Sequence, residues 1–425
     1  MARTQTTHAR RSFAMFLTSR TISWTGNALT AVALPLMLFA QTNSATLTAL
    51  LTVGEAVPYL VLGLPAGAVV DRWDARRTMV ATSVIGAGLA ASIPLIAVFQ
   101  PPPAPLLILV ATAQAAVFVF FDAASFRAIP LIAGRDAIGA ATARMLTAST
   151  VVGVLGPPLG GVLFGVAGGP AVLLIDAASY AVGAAMIARV TWPPEEAAER
   201  ARGTIRRDIA EGLAYIWRTP VVRWLTVIGV GNSFAGGIVA GLLVVLAVRD
   251  FGVASQGPLV GLLFASAAVG TLLAARAIGP AQRHAGVGMI TAVGLAVGLA
   301  AILGLAASPA VPFAVAAVLI WQFGNSVVSL NGIIVRQSVT PQALQGRVNT
   351  TARMVAWGGQ PLGAAVGGVL ADTVGTRPAI AIGALGLLVS LLLAWRSGVL
   401  KTGTIEQLPA SEHRSERLRE ADRDA

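Results

Sequence analysis

The sequence predicts an all-α membrane protein in which twelve transmembrane helices form two pseudo-symmetric six-helix bundles. The prediction depends on the composition, on the spacing of apolar segments and on an internal repeat. Of the 425 residues, 56% are hydrophobic and 12% are charged, whereas soluble domains contain about 25% charged residues. So few charged side chains do not cover the surface of a water-soluble fold, and the composition therefore favours a chain that crosses the membrane many times.

Twelve apolar segments are each long enough to cross a bilayer. A hydrocarbon core about 30 Å thick is spanned by about 20 helical residues, and short polar or Pro/Gly-rich breaks separate the segments. The predicted spans are 14–39, 47–70, 78–98, 105–125, 140–164, 171–190, 222–247, 257–278, 287–307, 312–335, 348–370 and 378–396.

The arginines indicate how the predicted spans are oriented. With the N-terminus inside, the outward connections contain only Arg249 and Arg377 as basic residues, and the arginine clusters lie in the inward connections. Basic loops of membrane proteins face the cytoplasm. We therefore expect both termini in the cytoplasm, and most of the net charge of +11 is explained without a nucleic-acid partner.

The longest connection divides the chain into two halves. Residues 1–190 and 222–396 are the predicted six-helix bundles, and residues 191–221 are a cytoplasmic linker between them. Apolar residues recur at helical spacing in the linker, which predicts an amphipathic helix on the cytoplasmic surface. Residues 397–425 form a charged tail that we expect to be disordered.

The two halves are related in sequence. Residues 144–160 align with residues 347–363 at an offset of 203, with seven identities in seventeen positions. At an offset of 205, Gly26-Asn27 in span one aligns with Gly231-Asn232 in span seven. Parallel repeats of this kind are typical of transporters whose substrate site lies at the repeat interface.

The connection after span two carries a motif of one glycine, an Asp-Arg pair and a basic pair. Its residues are Gly67, Asp71, Arg72, Arg76 and Arg77. With this motif, residues 12–396 resemble the major facilitator superfamily of transporters, although Asp74 and Ala75 depart from the family pattern. The resemblance implies that superfamily's fold and an inner gate in which Asp71 meets the start of span eleven.

A second motif lies in span five. Its residues are Gly156, Pro157, Gly160 and Gly161. The motif resembles one that drug/proton antiporters carry there and importers generally lack, and the chain is similar to the bacterial exporter branch that includes enterobactin and macrolide efflux proteins. This implies a multi-pass protein of a bacterial-type inner membrane that exports drug-like or secondary-metabolite molecules. A packing role is the alternative, because glycine permits close helix approach and proline bends a helix.

Polar stripes on three spans indicate where a cavity would lie. The candidates are Arg20, Ser23, Asn27 and Thr30 in span one, Asn232 in span seven, and Gln322, Asn325 and Ser329 in span ten. Polar side chains within a membrane usually face the bundle interior. These residues either line a substrate cavity or form hydrogen bonds between helices.

Three acidic residues within the spans are candidates for proton coupling: Glu55, Asp122 and Asp176. Glu55 lies about 12 Å into span two at about 1.5 Å per residue, where burial disfavours the charged form. We expect it to be the coupling carboxylate of an antiporter, with packing or direct binding of a cationic substrate as the alternatives. Asp122 is alternatively a partner of the arginines, and Asp176 a satisfied structural carboxylate.

The sequence argues against other classes of protein. The only lysine is Lys401, so a Gly-Lys-Ser/Thr phosphate loop is absent and transport must be secondary. The chain has no cysteine and three dispersed histidines, so we expect no metal site, no cofactor and no catalytic residues. We expect a monomer that binds a small-molecule substrate and protons. A proton-coupled or facilitative importer of a small solute is the alternative, since it has the same architecture.

Overall fold

A computed structural model describes residues 2–70, 72–134, 137–192, 205–253 and 258–407, and these residues contain helices but no strand. The helices are α1 Ala2–Thr42, α2 Ala45–Val70, α3 Ala75–Ala97, α4 Ala104–Ala133, α5 Ile138–Arg189, α6 Ile205–Arg218, α7 Pro220–Val245, α8 Pro258–His284, α9 Val287–Ala306, α10 Val311–Val339, α11 Gln345–Trp357, α12 Gly359–Thr373 and α13 Thr376–Arg396. A π-helical turn, Leu246–Asp250, follows α7. Short 3₁₀ turns occupy Gln342–Leu344, Val399–Lys401 and Ile405–Gln407.

Ten helical segments of the described chain are long and apolar enough to cross a membrane. They account for eleven of the twelve predicted spans, because α5 contains two. Within α5, Gly168 has φ 79° and ψ 166°, a backbone conformation that is essentially restricted to glycine. It separates residues 138–167 from residues 169–189 and lies within the connection predicted at 165–170.

The remaining span is divided between two shorter helices. α11 has 13 residues and α12 has 15, and each is too short to cross a bilayer alone. Together they cover the span predicted at 348–370. The prediction of an all-α membrane protein with twelve spans is thus confirmed.

Several helices extend beyond the apolar segments that predicted them. α1 begins at Ala2 rather than near residue 14, and α4 continues to Ala133 rather than ending near residue 125. Helical hydrogen bonding does not stop where the apolar composition ends. Hydropathy therefore locates a span but not the ends of its helix.

The chain forms two compact units. The first contains Met1–Arg202 and Leu243–Ala265, and the second contains Gly203–Leu242 and Ser266–Ala425. The end of α7 and the start of α8, which the sequence places in the second half, thus belong to the first unit. The boundaries of the predicted halves stay a prediction, and residues 193–204 of the linker and 408–425 of the tail lie outside the described residues.

In the first unit, α1 packs tightly against both parts of α5. A Cβ atom on Gly160 would lie 2.9 Å from the Cα of Leu29, and one on Gly156 would clash with Ala28. In the second part of α5, Gly183 accepts a hydrogen bond of 3.1 Å from the Ser19 hydroxyl. Gly156 and Gly160 of the span-five motif therefore occupy positions where α1 leaves no room for a side chain.

The second unit contains an equivalent glycine joint, that is, a close helix contact in which glycines leave room for the neighbouring helix. A Cβ atom on Gly359 would clash with the backbone of α7 and with Ser233, and one on Gly363 would clash with Phe234. Gly359 and Gly363 are the repeat partners of the two span-five glycines at the offset of 203, and Ser233 and Phe234 correspond to Ala28 and Leu29 at the offset of 205. Both sides of the contact are therefore preserved between the halves, as expected for a pseudo-symmetric fold.

The amphipathic helix predicted in the linker is α6, and its apolar face packs against α11. Tyr215 and Ile216 are buried in one cluster with Val348 and Ala352 of α11, and the Tyr215 hydroxyl donates a hydrogen bond of 2.6 Å to the Val339 carbonyl at the end of α10. Part of the face expected to lie on the membrane surface is thus covered by protein.

A polar clasp reinforces the contact between α6 and α11. Glu211 accepts a hydrogen bond of 2.8 Å from Arg207 Nε and forms an ion pair with Arg347 of α11. The hydrogen bond from Arg207, followed by the charge of Arg347, lowers the pKa of Glu211 from its usual value. The clasp therefore depends on an ionised carboxylate.

Candidate functional site

The first unit contains a cavity of about 230 Å³ between α1, α2, α3, α4 and α5. Its polar lining residues are Asn27, Thr30, Glu55, Tyr59, Gln114, Asp176 and Tyr180. Apolar side chains, among them Leu34, Ile93, Phe118 and Leu173, complete the wall. A mostly apolar cleft with a few converging polar groups is the usual form of a small-molecule site.

Glu55 contributes a carboxylate to the cavity. Its side chain is solvent-accessible, and it forms no hydrogen bond or ion pair with any residue that the structure describes. Its neighbour Gly54 allows a close approach to α4, because a side chain there would clash with Thr112. Tyr59, four residues later, lies on the same face of α2 and also lines the cavity.

Asp176 is the second carboxylate of the cavity, and hydroxyl groups hold it. Thr30 Oγ1 donates a hydrogen bond of 2.7 Å to Asp176 Oδ2, and Ser179 Oγ donates one of 3.3 Å to Oδ1. Asp176 is fully buried, and a side chain at Gly26 of α1 would clash with it. Asp176 thus joins α5 to α1 at the edge of the cavity.

Asp122 is paired with Arg20 and does not line the cavity. Arg20 Nη2 lies 3.7 Å from Asp122 Oδ1, and the Tyr59 hydroxyl donates a hydrogen bond of 3.0 Å to Oδ2. The Arg20 guanidinium also lies 4.6 Å from the ring centres of both Trp24 and Phe121. Aromatic rings thus flank the guanidinium of the ion pair, and Tyr59 connects the pair to the cavity.

The other residues of the span-one stripe divide between two environments. Asn27 and Thr30 line the cavity, whereas Ser23 is buried where α1 meets Gly183 of α5. A stripe on one helix face therefore serves both purposes that the sequence left open: part of it lines a cavity and part of it packs against a neighbouring helix.

The polar residues of α7 and α10 form a separate cluster in the second unit. Asn232 Nδ2 donates a hydrogen bond of 2.7 Å to Asn325 Oδ1. Gln322 Nε2 donates one of 3.1 Å to Thr271 Oγ1 on α8, and Ser329 is exposed. Amides and hydroxyls take the place that carboxylates have in the first unit.

The motif after α2 joins helix ends. Arg76 donates a hydrogen bond to the Ala188 carbonyl near the end of α5. Asp74, which departs from the family pattern, is the N-cap of α3 and accepts a hydrogen bond of 2.6 Å from the Arg77 amide. Arg72 is exposed and Gly67 lies within α2, whereas Asp71 lies outside the described residues.

Some residues of the site were not among the candidates from the sequence. Tyr59, Gln114 and Tyr180 line the cavity. A signal for two of them was present, because Tyr59 follows Glu55 by four residues and Gln114 precedes Phe118 by four, so that each pair shares a helix face. Aromatic residues at such spacing are equally common in cores, and the sequence did not distinguish the two uses.

Comparisons with known proteins agree with this architecture. The sequence pattern of the Major Facilitator Superfamily matches residues 16–364. The multidrug efflux pump Tap of Mycolicibacterium fortuitum is 27% identical over 360 residues, which are 82% of this chain and 87% of Tap.

Two solved structures resemble most of the chain. A bacterial homolog of the human lysosomal transporter Spinster, in an inward-facing and unoccupied conformation, has a TM-score of 0.73 at 15% identity and covers 92% of this chain and 97% of its own. The nucleoside transporter NupG has a TM-score of 0.72 at 13% identity, with 92% of this chain and 98% of NupG covered. At such identities the structural matches indicate the fold alone.

Proposed function

Because the chain belongs to the Major Facilitator Superfamily, we propose that it exports small drug-like or secondary-metabolite molecules in exchange for protons. The chain is a multi-pass membrane transporter and not an enzyme. Its direction, its coupling ion, its substrates and the cytoplasmic location of both termini are parts of the proposal.

The observation that carries the proposal is the unpartnered Glu55 carboxylate in the cavity of the first unit. In a membrane interior, an ionised carboxylate without a counter-ion is costly. Either a proton or a cationic group of the substrate neutralises it, and the two compete for the same oxygens. Such competition at one carboxylate is sufficient for proton–substrate exchange under alternating access.

The lining of the cavity supports a planar, partly apolar substrate. Tyr59, Phe118 and Tyr180 contribute aromatic rings beside the carboxylate, and aromatic faces attract organic cations. Asn27 and Gln114 supply amides that fix the orientation of a polar substituent. The site therefore suits an aromatic cation better than a sugar or a nucleoside, which needs many hydrogen bonds.

Two further observations favour export over import. The span-five glycine motif resembles that of antiporters, and the relative with 27% identity is an efflux pump.

The other two carboxylates are less suitable for coupling than Glu55. Asp122 is already neutralised by Arg20, and Asp176 is shielded by Thr30 and Ser179.

Transport in sealed proteoliposomes tests the proposal, with ethidium as the probe because it is a planar aromatic cation. The wild-type protein should move ethidium against its concentration gradient and opposite to an imposed proton flow. Glu55→Gln should lose this uphill transport, because an amide does not release and rebind a proton as a carboxylate does, whereas downhill movement of ethidium should persist at a reduced rate through the aromatic lining. Asp372→Asn, which alters an exposed carboxylate, is the matched control and should behave as wild type.

Two results would contradict the proposal. Uphill transport by Glu55→Gln at the wild-type rate would place coupling at another residue, with Asp176 next to be tested. Accumulation of the probe in the same direction as the protons would identify the importer alternative.

A further inference from the structure

Arg336 is a buried cation without an acidic partner. It lies in the last turn of α10 and is 5% exposed. Among the residues that the structure describes, no carboxylate pairs with it. Within the described part of the chain, its one hydrogen bond is a long one of 3.5 Å, from Nε to Asn349 Oδ1 of α11.

The described acidic residues of the second unit do not pair with Arg336. Glu211 and Asp372 are the acidic residues of the second unit whose side chains the structure describes. Glu211 pairs with Arg207 and Arg347, and Asp372 lies at the far end of α12. A second cation, Arg353, is close enough to Arg336 to repel it.

The end of α10 compensates this charge only in part. A helix C-terminus carries roughly half of a negative charge, whereas the guanidinium carries a full positive charge and cannot be deprotonated in a protein. Removing a charged group from water without a full counter-charge is costly. An anion beside Arg336 would therefore neutralise the charge that the end of α10 leaves uncompensated.

The geometry of Arg336 determines which anion fits. A guanidinium has five N–H donors, and Nε uses one of them on Asn349. The remaining four are on Nη1 and Nη2, which form no hydrogen bond with the described part of the chain. Arg20 Nε is fully buried without a partner, whereas Nη1 and Nη2 of Arg336 each retain some accessible surface. Paired N–H groups of this kind bind the oxygens of phosphate in a bidentate manner.

We infer that Arg336, oriented by Asn349 and supported by the charge of Arg353, binds a phosphate group, either the headgroup of an anionic phospholipid or free inorganic phosphate. The site lies in the second unit, where α10 ends and α11 begins. It is separate from the Glu55 cavity of the first unit, and it does not depend on the direction or coupling of transport.

Anion-dependent thermal stability of the purified full chain tests this inference. The Tm is measured in phosphate-free detergent buffer, then with added inorganic phosphate, with phosphatidylglycerol or with phosphatidylcholine. Arg336→Gln is compared with Arg396→Gln, an exposed arginine in the last turn of α13. Arg336→Lys keeps the charge but loses the paired donors.

We expect the Tm of the wild type and of Arg396→Gln to rise by several degrees with phosphatidylglycerol or with phosphate. The half-saturating concentration should be at least ten-fold higher in Arg336→Gln and intermediate in Arg336→Lys. A response to phosphatidylglycerol alone identifies a lipid headgroup, and a response to phosphate as well identifies a free anion.

Three results would overturn the inference. The first is a wild type whose Tm does not respond to either probe. The second is the same response in Arg336→Gln as in the wild type, because the anion would then bind at another place on the protein. The third is an equal loss of response in Arg396→Gln, because the effect would then come from surface charge in general.

Discussion

Replacing Asp122 should destabilise the protein because it leaves Arg20 buried without its counter-ion. Two unit charges 3.7 Å apart attract each other by about 4.5 kcal/mol at an effective dielectric constant of about 20. The Tyr59 hydrogen bond contributes about 1 kcal/mol more. Breaking a buried pair from one side typically costs about 3–5 kcal/mol.

Two features of the pair reduce this figure. The Asp122 side chain is 25% exposed, so water retains some access to its carboxylate. The Arg20 guanidinium also keeps its contacts with Trp24 and Phe121, each worth about 1 kcal/mol. We therefore expect Asp122→Asn to lower the free energy of unfolding by about 2–4 kcal/mol.

A double-mutant cycle measures this interaction. The unfolding of wild type, Asp122→Asn, Arg20→Gln and the double variant is followed in detergent, with Asp372→Asn as the exposed control. The double variant should be at least about 1 kcal/mol more stable than the sum of the single effects predicts, because it leaves no unpaired charge. A free energy of unfolding of Asp122→Asn within about 0.5 kcal/mol of the wild-type value, as ordinary surface substitutions give, would show that the pair does not stabilise the fold. Additive effects of the two single variants would show the same.

Three further predictions concern packing, topology and pH. Gly160→Ala should destabilise the protein by about 1–3 kcal/mol through overpacking against α1. Gly88→Ala is the control, because a side chain at Gly88 meets open space, and it should not destabilise the protein. Equal thermal stability of the two variants would contradict the packing described. A cysteine introduced in place of Phe99, which is 88% exposed, should react with an impermeant thiol reagent from outside intact cells, and labelling only from the cytoplasmic side would reverse the topology. The pKa of Glu211 is lowered in the folded protein. The clasp with Arg347 therefore stabilises the fold above the pKa that the carboxylate has in the unfolded chain, and this stabilisation is lost as the pH falls through the pKa of the folded protein. Glu211→Gln should flatten this acid dependence in thermal unfolding, and an unchanged profile would count against the clasp.

The sequence predicted the spans well because membrane burial leaves a strong compositional signal. The turn at Gly168 lies within the predicted connection 165–170, and the glycines of span five lie at a helix joint. The ends of α1 and α4 were predicted poorly, because a helix continues into water without an apolar signature. The division of span eleven at Gly358 also had no signal beyond an ordinary pair of glycines.

The site was harder to predict because it depends on how helices rotate against each other. The structure brings Asn27, Thr30, Glu55 and Asp176 to one cavity, all of which the sequence had proposed for a cavity or for coupling. The pairing of Arg20 with Asp122 is a contact between residues 102 positions apart. Polarity and spacing within single helices do not specify such a partner.

The glycine joints of α1 have a mechanical consequence for the cavity. Gly156, Gly160 and Gly183 let α5 pack so close to α1 that a side chain at any of these positions would clash with α1, and such tight packing resists movement of one helix against the other. The wall that carries Asn27 and Asp176 is therefore stiff. Another part of the wall belongs to α2, where Pro58 and Pro65 remove backbone hydrogen bonds and permit bending. Substrates of different thickness should thus be accommodated by movement of the α2 wall, with the α1–α5 wall as a fixed template.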